Sequence, residues 1–220
     1  MESRLTMSRI TEAIVRNWGQ PTFRTETPTE RFEQFRDVAP PALLDIWFEF
    51  GFSGFDDGRW WICDPVAWQP AVDAWTAGLE LPTGPDSWIA VTRSAFGRMK
   101  LWSPNTGFGL TVLPYLGWLM YKPSPRQVRD ESTTEMAMYA GFLAQTRENM
   151  DVPDEDGAGI FDQVLPRLGP VAADTVYGFV PAPALGGSLA ADHVELFDAD
   201  VHMRLLSDLT PRQLMERATQ

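Results

Sequence analysis

Few residues in this 220-residue chain are of types that do chemistry, and their spacing narrows what they could do. The two histidines, His193 and His202, stand in neither an HxxxH nor an HExxH arrangement, so the ligand pair and glutamate base of a zinc hydrolase are missing. The single cysteine, Cys63, could act as a nucleophile with either histidine as its base. It sits between an apolar strand and a helix cap, however, where a free cysteine is ordinarily a buried, inert thiol. Asp56 and Asp57 form a carboxylate pair of the kind used in general acid–base catalysis, yet neighbouring acids on a turn are ordinarily solvated. No GxSxG elbow, GxxxxGK[ST] loop or GxGxxG fingerprint occurs. The sequence assigns no catalytic, cofactor-binding or metal-binding residue.

The stretch VYGFVPAPALGG, residues 176–187, poses a sharper choice. A glycine pair can cradle a phosphate when a helix N-terminus and a basic side chain complete the site. The twelve residues after Ser188 hold no Lys or Arg and include four acids, Asp192, Glu195, Asp198 and Asp200. A dianion would be repelled there. Gly186 and Gly187 are therefore expected to supply a positive φ or a close backbone approach at a turn.

The elements that would position these residues form two blocks. Ser8 to Trp18 carries Ile10, Ile14 and Val15 on one helical face and stops at Gly19 and Pro21. APPALLDIWFEFG reads as a second helix, with Pro41 in its first turn and Leu43, Leu44, Trp47 and Phe50 as its apolar stripe. A turn at Asp57-Gly58 leads into a strand from Arg59 to Cys63. Asp64 and Pro65 then cap and open a helix through Trp68, Val72 and Trp75. SWIAVT (87–92), RMKLW (98–102) and FGLTVLP (108–114) predict an antiparallel meander. Helical spacing returns at 130–147, with Met136, Tyr139, Ala140 and Leu143. The run 148–159, acidic and glycine-bearing, reads as a linker or mobile loop. Beyond it come a short helix (Ile160, Phe161, Val164, Leu165, Leu168), two strands flanking the Gly-Gly turn, and a final helix turned inward through Val201, Leu205 and Leu206. The expected architecture is α+β: an antiparallel meander with packed helices over 1–125, then a smaller α+β subdomain over 126–220.

Composition bounds the function. Nine tryptophans and thirteen phenylalanines in a chain that is 44% hydrophobic supply a substantial core, and no apolar run approaches membrane-spanning length. One cysteine excludes an intrachain disulfide, and the N-terminus lacks the apolar block of a secretory signal; a cytoplasmic protein is expected. The net charge is −12, divided as −3 over residues 1–147 and −9 over 148–220. Such a field repels DNA and RNA and attracts a basic protein, although acidic surfaces also serve solubility alone.

Trp60 and Trp61 are adjacent on a strand and point to opposite faces. Either a second layer covers the sheet, or one indole is exposed beside Asp56, Asp57 and Arg59 as an interface anchor. Trp60 is the expected anchor. Asp154, Glu155 and Asp156 are further candidates for meeting a basic partner, as phosphate mimics or as a segment that orders on binding, unless they are simply solvated.

The succession APPALLDIWFEFGF, DGRWWICDPVAW and IAVTRSAFGRMKLW resembles the GAD-like domain of bacteria. FDQVLPRLGPVAADTVYGFVPAPALGG resembles the domain that habitually follows it, with an LG…YGF-x-P-x-x-x-LGG hallmark; Pro183 departs from the usual aliphatic residue. The two resemblances cover about residues 20–115 and 135–208. They imply a type VI secretion immunity protein that binds and neutralises a toxic DNase effector, needs no cofactor, and occludes the enzyme's DNA-binding or active site. Two other readings stay open: an interaction module unconnected with toxins, and an enzyme using Cys63 or a carboxylate pair.

Overall fold

The structure, a computed structural model, describes residues 2–216. Its N-terminal part runs through helix α1 (Glu2–Trp18), the short α2 (Thr29–Gln34) and α3 (Pro41–Phe50), then strands β1 (Gly54–Phe55) and β2 (Trp60–Ile62). Helix α4 (Pro65–Thr76) precedes the meander β3 (Ile89–Ser94), β4 (Met99–Ser103), β5 (Gly107–Leu113) and β6 (Trp118–Tyr121). Helices α5 (Glu131–Leu143), α6 (Arg147–Met150) and α7 (Ile160–Leu168) lead to the hairpin of β7 (Thr175–Phe179) and β8 (Val194–Asp198). Helix α8 (Ala199–Leu209) and strand β9 (Gln213–Glu216) complete the described chain. The fold is α+β: a seven-stranded sheet in the order β1-β2-β3-β4-β5-β6-β9, and the separate two-stranded β7-β8.

The meander and its turns lie where the residue types place them. The cap at α4 is as expected: Asp64 accepts from the backbone N–H of Val66 at 2.9 Å, with Pro65 in the first turn. Three strands were not legible. β1 is only two residues long and pairs with β2. β6 follows β5 after a tight turn, and β9 pairs with it in parallel, from Trp118 opposite Gln213 to Tyr121 opposite Glu216. β9 thereby ties the end of the described chain into the large sheet.

Both faces of the large sheet are covered, and this fixes the two tryptophans. One face packs against α1, α3 and α5 in a core holding Ile14, Leu43, Trp47, Trp60 and Phe142; the other packs against α4 and α8 through Trp75, Leu101, Leu110 and Met203. Trp60 has no exposed surface. It stacks on Trp18 with ring centroids 5.1 Å apart, and its Nε1–H donates to Gln145 Oε1 at 2.7 Å. The same oxygen accepts from Thr92 Oγ1, so one buried glutamine satisfies two donors beneath α5. Trp61 faces the opposite way and is also buried, stacked on Phe23.

A third core binds α7 and the β7–β8 hairpin to the end of the sheet. Phe96, at the β3–β4 turn, meets Tyr177 and Phe179 of β7, and Ile160, Phe161 and Val164 of α7 close over them. Backbone bonds cross the junction from Tyr177 N–H to the Ala95 carbonyl (2.9 Å) and from Val171 N–H to the Asp57 carbonyl (3.1 Å). The Gly-Gly pair is a turn, as its surroundings demand. Gly186 takes φ +88°, and a Cβ on Gly187 would lie 1.8 Å from the Pro181 carbonyl oxygen.

Three expectations are corrected. Run 148–159 is a packed loop that begins in α6, with Met150 and Val152 buried and a bridge between Pro153 and Gly159. In α5, Met136 is exposed, while Ala137, Met138, Gly141 and Phe142 face the core. In α8, Val201 and Leu205 face solvent, and the buried side is Ala199, His202, Met203, Leu206 and Ser207. The imidazole of His202 stacks on Phe197 with centroids 4.4 Å apart, so a nominally polar residue occupies an apolar site.

Burial lowers the His202 pKa to about 4. The unfolded state takes up a proton first as pH falls, so this contribution to stability is complete above the ordinary imidazole pKa and is lost between roughly pH 6.5 and 4. Urea unfolding at pH 7 and pH 5 is expected to show wild type losing on the order of 2 kcal/mol more than His202→Phe. Equal losses in the two proteins would show that His202 is not held neutral.

Candidate functional site

Of the residues expected at an exposed interface, Asp57 is exposed, whereas Asp56 is half-buried and Arg59 is drawn in beneath α7. Asp56 and Asp57 both adopt positive φ (51° and 54°) in a turn that ends at Gly58. The turn sends the Arg59 side chain under α7. Its guanidinium is buried over the Phe161 ring, 4.3 Å from the centroid. Nη1 donates to Asp151 Oδ2 at 2.9 Å, Nη2 donates to Asp162, and Nε lies 2.8 Å from Asp56 Oδ2. Asp56 also accepts from Arg147 Nε at 2.8 Å. Burial raises the Asp151 carboxyl above its usual range, opposed by hydrogen bonds from Phe161 and Val152 and by Arg59. The cluster therefore joins residues 56–59 to residues 147–162, and Arg59 and Trp60 are withdrawn from solvent. Of Asp56, Asp57, Arg59 and Trp60, only Asp57 is exposed.

The acidic loop divides similarly. Asp154 turns inward on its own loop: Oδ1 accepts from the backbone N–H of Asp156 (3.0 Å) and Ala158 (2.8 Å), and Oδ2 accepts from Gln163 Nε2 (2.8 Å). The Gln163 bond, with those from the loop backbone, holds this carboxyl below its ordinary pKa. Glu155 and Asp156 point outward.

The residues with catalytic potential are kept apart. Cys63 is buried in the core shared with α4, and burial, with a smaller push from Asp64, raises its thiol to about 12 against the pull of Arg93. It is a thiol, not a thiolate, at neutral pH. Native protein is expected to leave Cys63 unmodified by a maleimide under conditions where urea-unfolded protein is labelled completely; rapid native labelling, read by mass spectrometry, would contradict the burial. Among the described residues no group of three or more His, Cys, Asp or Glu side chains is placed to hold a metal ion. No helix among them is long and apolar enough to cross a membrane.

A further candidate, missed by sequence reasoning, is a groove between α4 and the start of α8. Helix α4 supplies Ala67, Trp68 and Ala71 as one wall of a cavity of about 210 Å³. The opposite wall is Ala173–Asp174 and the start of α8, Asp198 to Asp200. The backbone N–H of Ala199 donates to the Asp174 carbonyl at 2.8 Å, and Asp198 caps α8 through the N–H of Val201 at 2.9 Å. A second cavity of about 200 Å³ shares Ala67, Trp68 and Ala173 and extends to Glu26, Phe52, Trp61 and Arg93. The first cavity thus has apolar walls with carboxylates at its edges, and the second reaches the Arg93 guanidinium.

Arg93 anchors the second cavity. It is wholly buried, with its guanidinium carbon 4.8 Å from the Trp68 ring centroid and 5.1 Å from that of Trp61. Nη2 donates to the carbonyls of Ala172 (2.7 Å) and Ala173 (3.2 Å), which fastens the loop before β7 to the sheet. Burial lowers its pKa to about 10, opposed by Cys63 and Asp174, so it stays charged at neutral pH. Asp174 lies in a short stretch with no motif or periodicity of its own. Trp68 was legible only as a core residue.

Fold and groove together define an α+β protein that presents a partly apolar groove edged by acids between α4 and the start of α8. Residues 9–116 match the GAD-like domain, and residues 137–210 match the family described as T6SS immunity protein Tdi1, C-terminal. The chain is a GAD-like domain protein carrying the C-terminal domain of type VI secretion immunity proteins. No curated protein matches it significantly. Among solved structures it is similar to the one titled "Crystal structure of Atu4351 from Agrobacterium tumefaciens", with a TM-score of 0.79 and 20% identity over 94% of this chain and 93% of that one. That likeness shows a shared fold.

Proposed function

We propose that this protein neutralises a toxic nuclease effector of a type VI secretion system by stoichiometric binding, in the cytoplasm of the cell it protects, and that it covers the effector's DNA-binding or active site. The observation that carries this reading is the distribution of charge over the fold. The net charge of −9 on residues 148–220 belongs to a block packed on the end of a large sheet, and its acids Asp174, Asp198 and Asp200 edge an apolar groove. A nuclease must present a basic surface to DNA, so an acidic protein of complementary shape competes for the same ground and is drawn to it at a rate that falls with salt. Blocks 1–125 and 126–220 act as one surface in this reading, because the Arg59 cluster and β9 join them. The same field keeps the protein off nucleic acid itself.

Titration of the purified effector with this chain is the direct test, read by plasmid cleavage. Complete inhibition at one equivalent is expected, with an association rate that drops several-fold between about 50 and 200 mM salt. Undiminished cleavage at saturating inhibitor, or tight capture of plasmid DNA by the chain alone, would overturn the reading.

A further inference from the structure

We propose that the outward face of α8 is the apolar anchor for the effector, and that it accepts an amphipathic segment of that protein bearing aliphatic side chains beside lysine or arginine. This rests on the immunity reading and adds the place and chemistry of contact. Val201, Leu205 and Leu209 are 59%, 51% and 55% exposed. Their spacing of four puts them in one row about 12 Å long on the helix. The fold does not need them, since His202, Met203 and Leu206 already bury the opposite face of α8. Single exposed leucines are ordinary; an aligned row of three on a well-packed helix is a surface made for contact.

Charge selects the occupant. Residues 192–208 hold five acids, Asp192, Glu195, Asp198, Asp200 and Asp208, against one Lys or Arg, Arg204, whose guanidinium is paired with Asp200 at 2.5 Å. Asp198 and Asp200 also edge the groove with Asp174, so the apolar row and the groove share an acidic border at the start of α8. A basic segment meets that border with a complementary field. A second copy of this chain would bring acid against acid, and a nucleic acid would bring phosphate. Among partners that could cover the row, a cationic amphipathic one is the electrostatic match.

The experiment measures binding of the effector toxin domain, in a catalytically inactive form, to wild type and to variants with unchanged melting temperature. Leu205→Asp, with Leu205→Ser as a milder companion, is expected to weaken binding about 100-fold, chiefly through faster dissociation. Asp174→Lys with Asp200→Lys is expected to slow association about tenfold and flatten its salt dependence. Glu33→Ser with Asp37→Ser, exposed at and just after α2 on the side of the sheet away from α8, serves as the control and is expected to leave affinity within about twofold. Full affinity in the Leu205 variants would overturn this location while leaving the immunity reading intact. Failure of wild type to bind the toxin would remove both. Sedimentation showing a wild-type dimer that Leu205→Asp dissociates would assign the face to self-association and overturn the proposal.

Discussion

Arg59→Ala is expected to cost about 3–5 kcal/mol of folding stability, a large part of what a domain ordinarily possesses. The alanine removes the cation paired with Asp56, Asp151 and Asp162, of which Asp56 keeps Arg147. Asp151 is the decisive partner, because its side chain is only 6% exposed and water cannot replace the lost guanidinium. Removing one member of a buried pair leaves an uncompensated charge, whereas losing an exposed pair typically costs less than about 1 kcal/mol. The loss of packing on Phe161 adds to this. A pH signature accompanies it. Burial already raises Asp151, and Arg59 opposes that rise; without the arginine the carboxyl shifts further up. A carboxyl whose folded pKa is raised destabilises the fold above that pKa and ceases to do so once protonated. The deficit of Arg59→Ala should therefore shrink between pH 7 and pH 5. Urea denaturation at both pH values measures it, and a deficit below about 1 kcal/mol, or one that does not shrink on acidification, would show that the cluster does not hold the blocks together.

Gly58→Ala is expected to be comparably damaging through the backbone alone. Gly58 has φ +84°, and a Cβ there would stand 1.9 Å from the carbonyl oxygen of Val171. The conformation by itself costs an alanine about 1 kcal/mol. The overlap is with main chain, so no rotamer change relieves it, and the strand-like bond from Val171 N–H to the Asp57 carbonyl must break. Gly19→Ala separates the two effects, since Gly19 has φ +76° but open space where its Cβ would go. Melting temperatures should fall only slightly for Gly19→Ala and by roughly three times as much or more for Gly58→Ala, where about 3 kcal/mol is at stake. Equal losses would mean that the contact with Val171 yields freely.

The groove and the α8 face were illegible for a common reason. Helix α8 offers two apolar stripes, and counting hydrophobic residues favours Val201, Leu205 and Leu206 over a face that includes His202. The fold chooses the histidine face because its ring fits flat on Phe197 and because the Met203 carbonyl accepts from Trp75 Nε1 at 3.0 Å. Helix α5 is turned by a similar selection, with Gln145 needed beneath it by Trp60 and Thr92. Asp174 gains its position from Arg93, 81 residues earlier, whose donors hold the adjoining carbonyls. No local pattern encodes such a bond.

Sequence alone determined what depends on neighbours along the chain: the capped start of α4 at Asp64 and Pro65, the meander of alternating strands and turns, the Gly186–Gly187 turn, and the concentration of acid after residue 147. These follow from φ preferences, periodicity and charge, which act within a few residues. Tertiary structure alone decided that Trp60 is covered, that Arg59 is a buried clasp, that β9 returns to β6, and that Val201, Leu205 and Leu209 are left outside. Those outcomes turn on which surfaces meet across long separations, where burial of one face necessarily exposes another and a charge is stabilised only by the partner that packing brings to it.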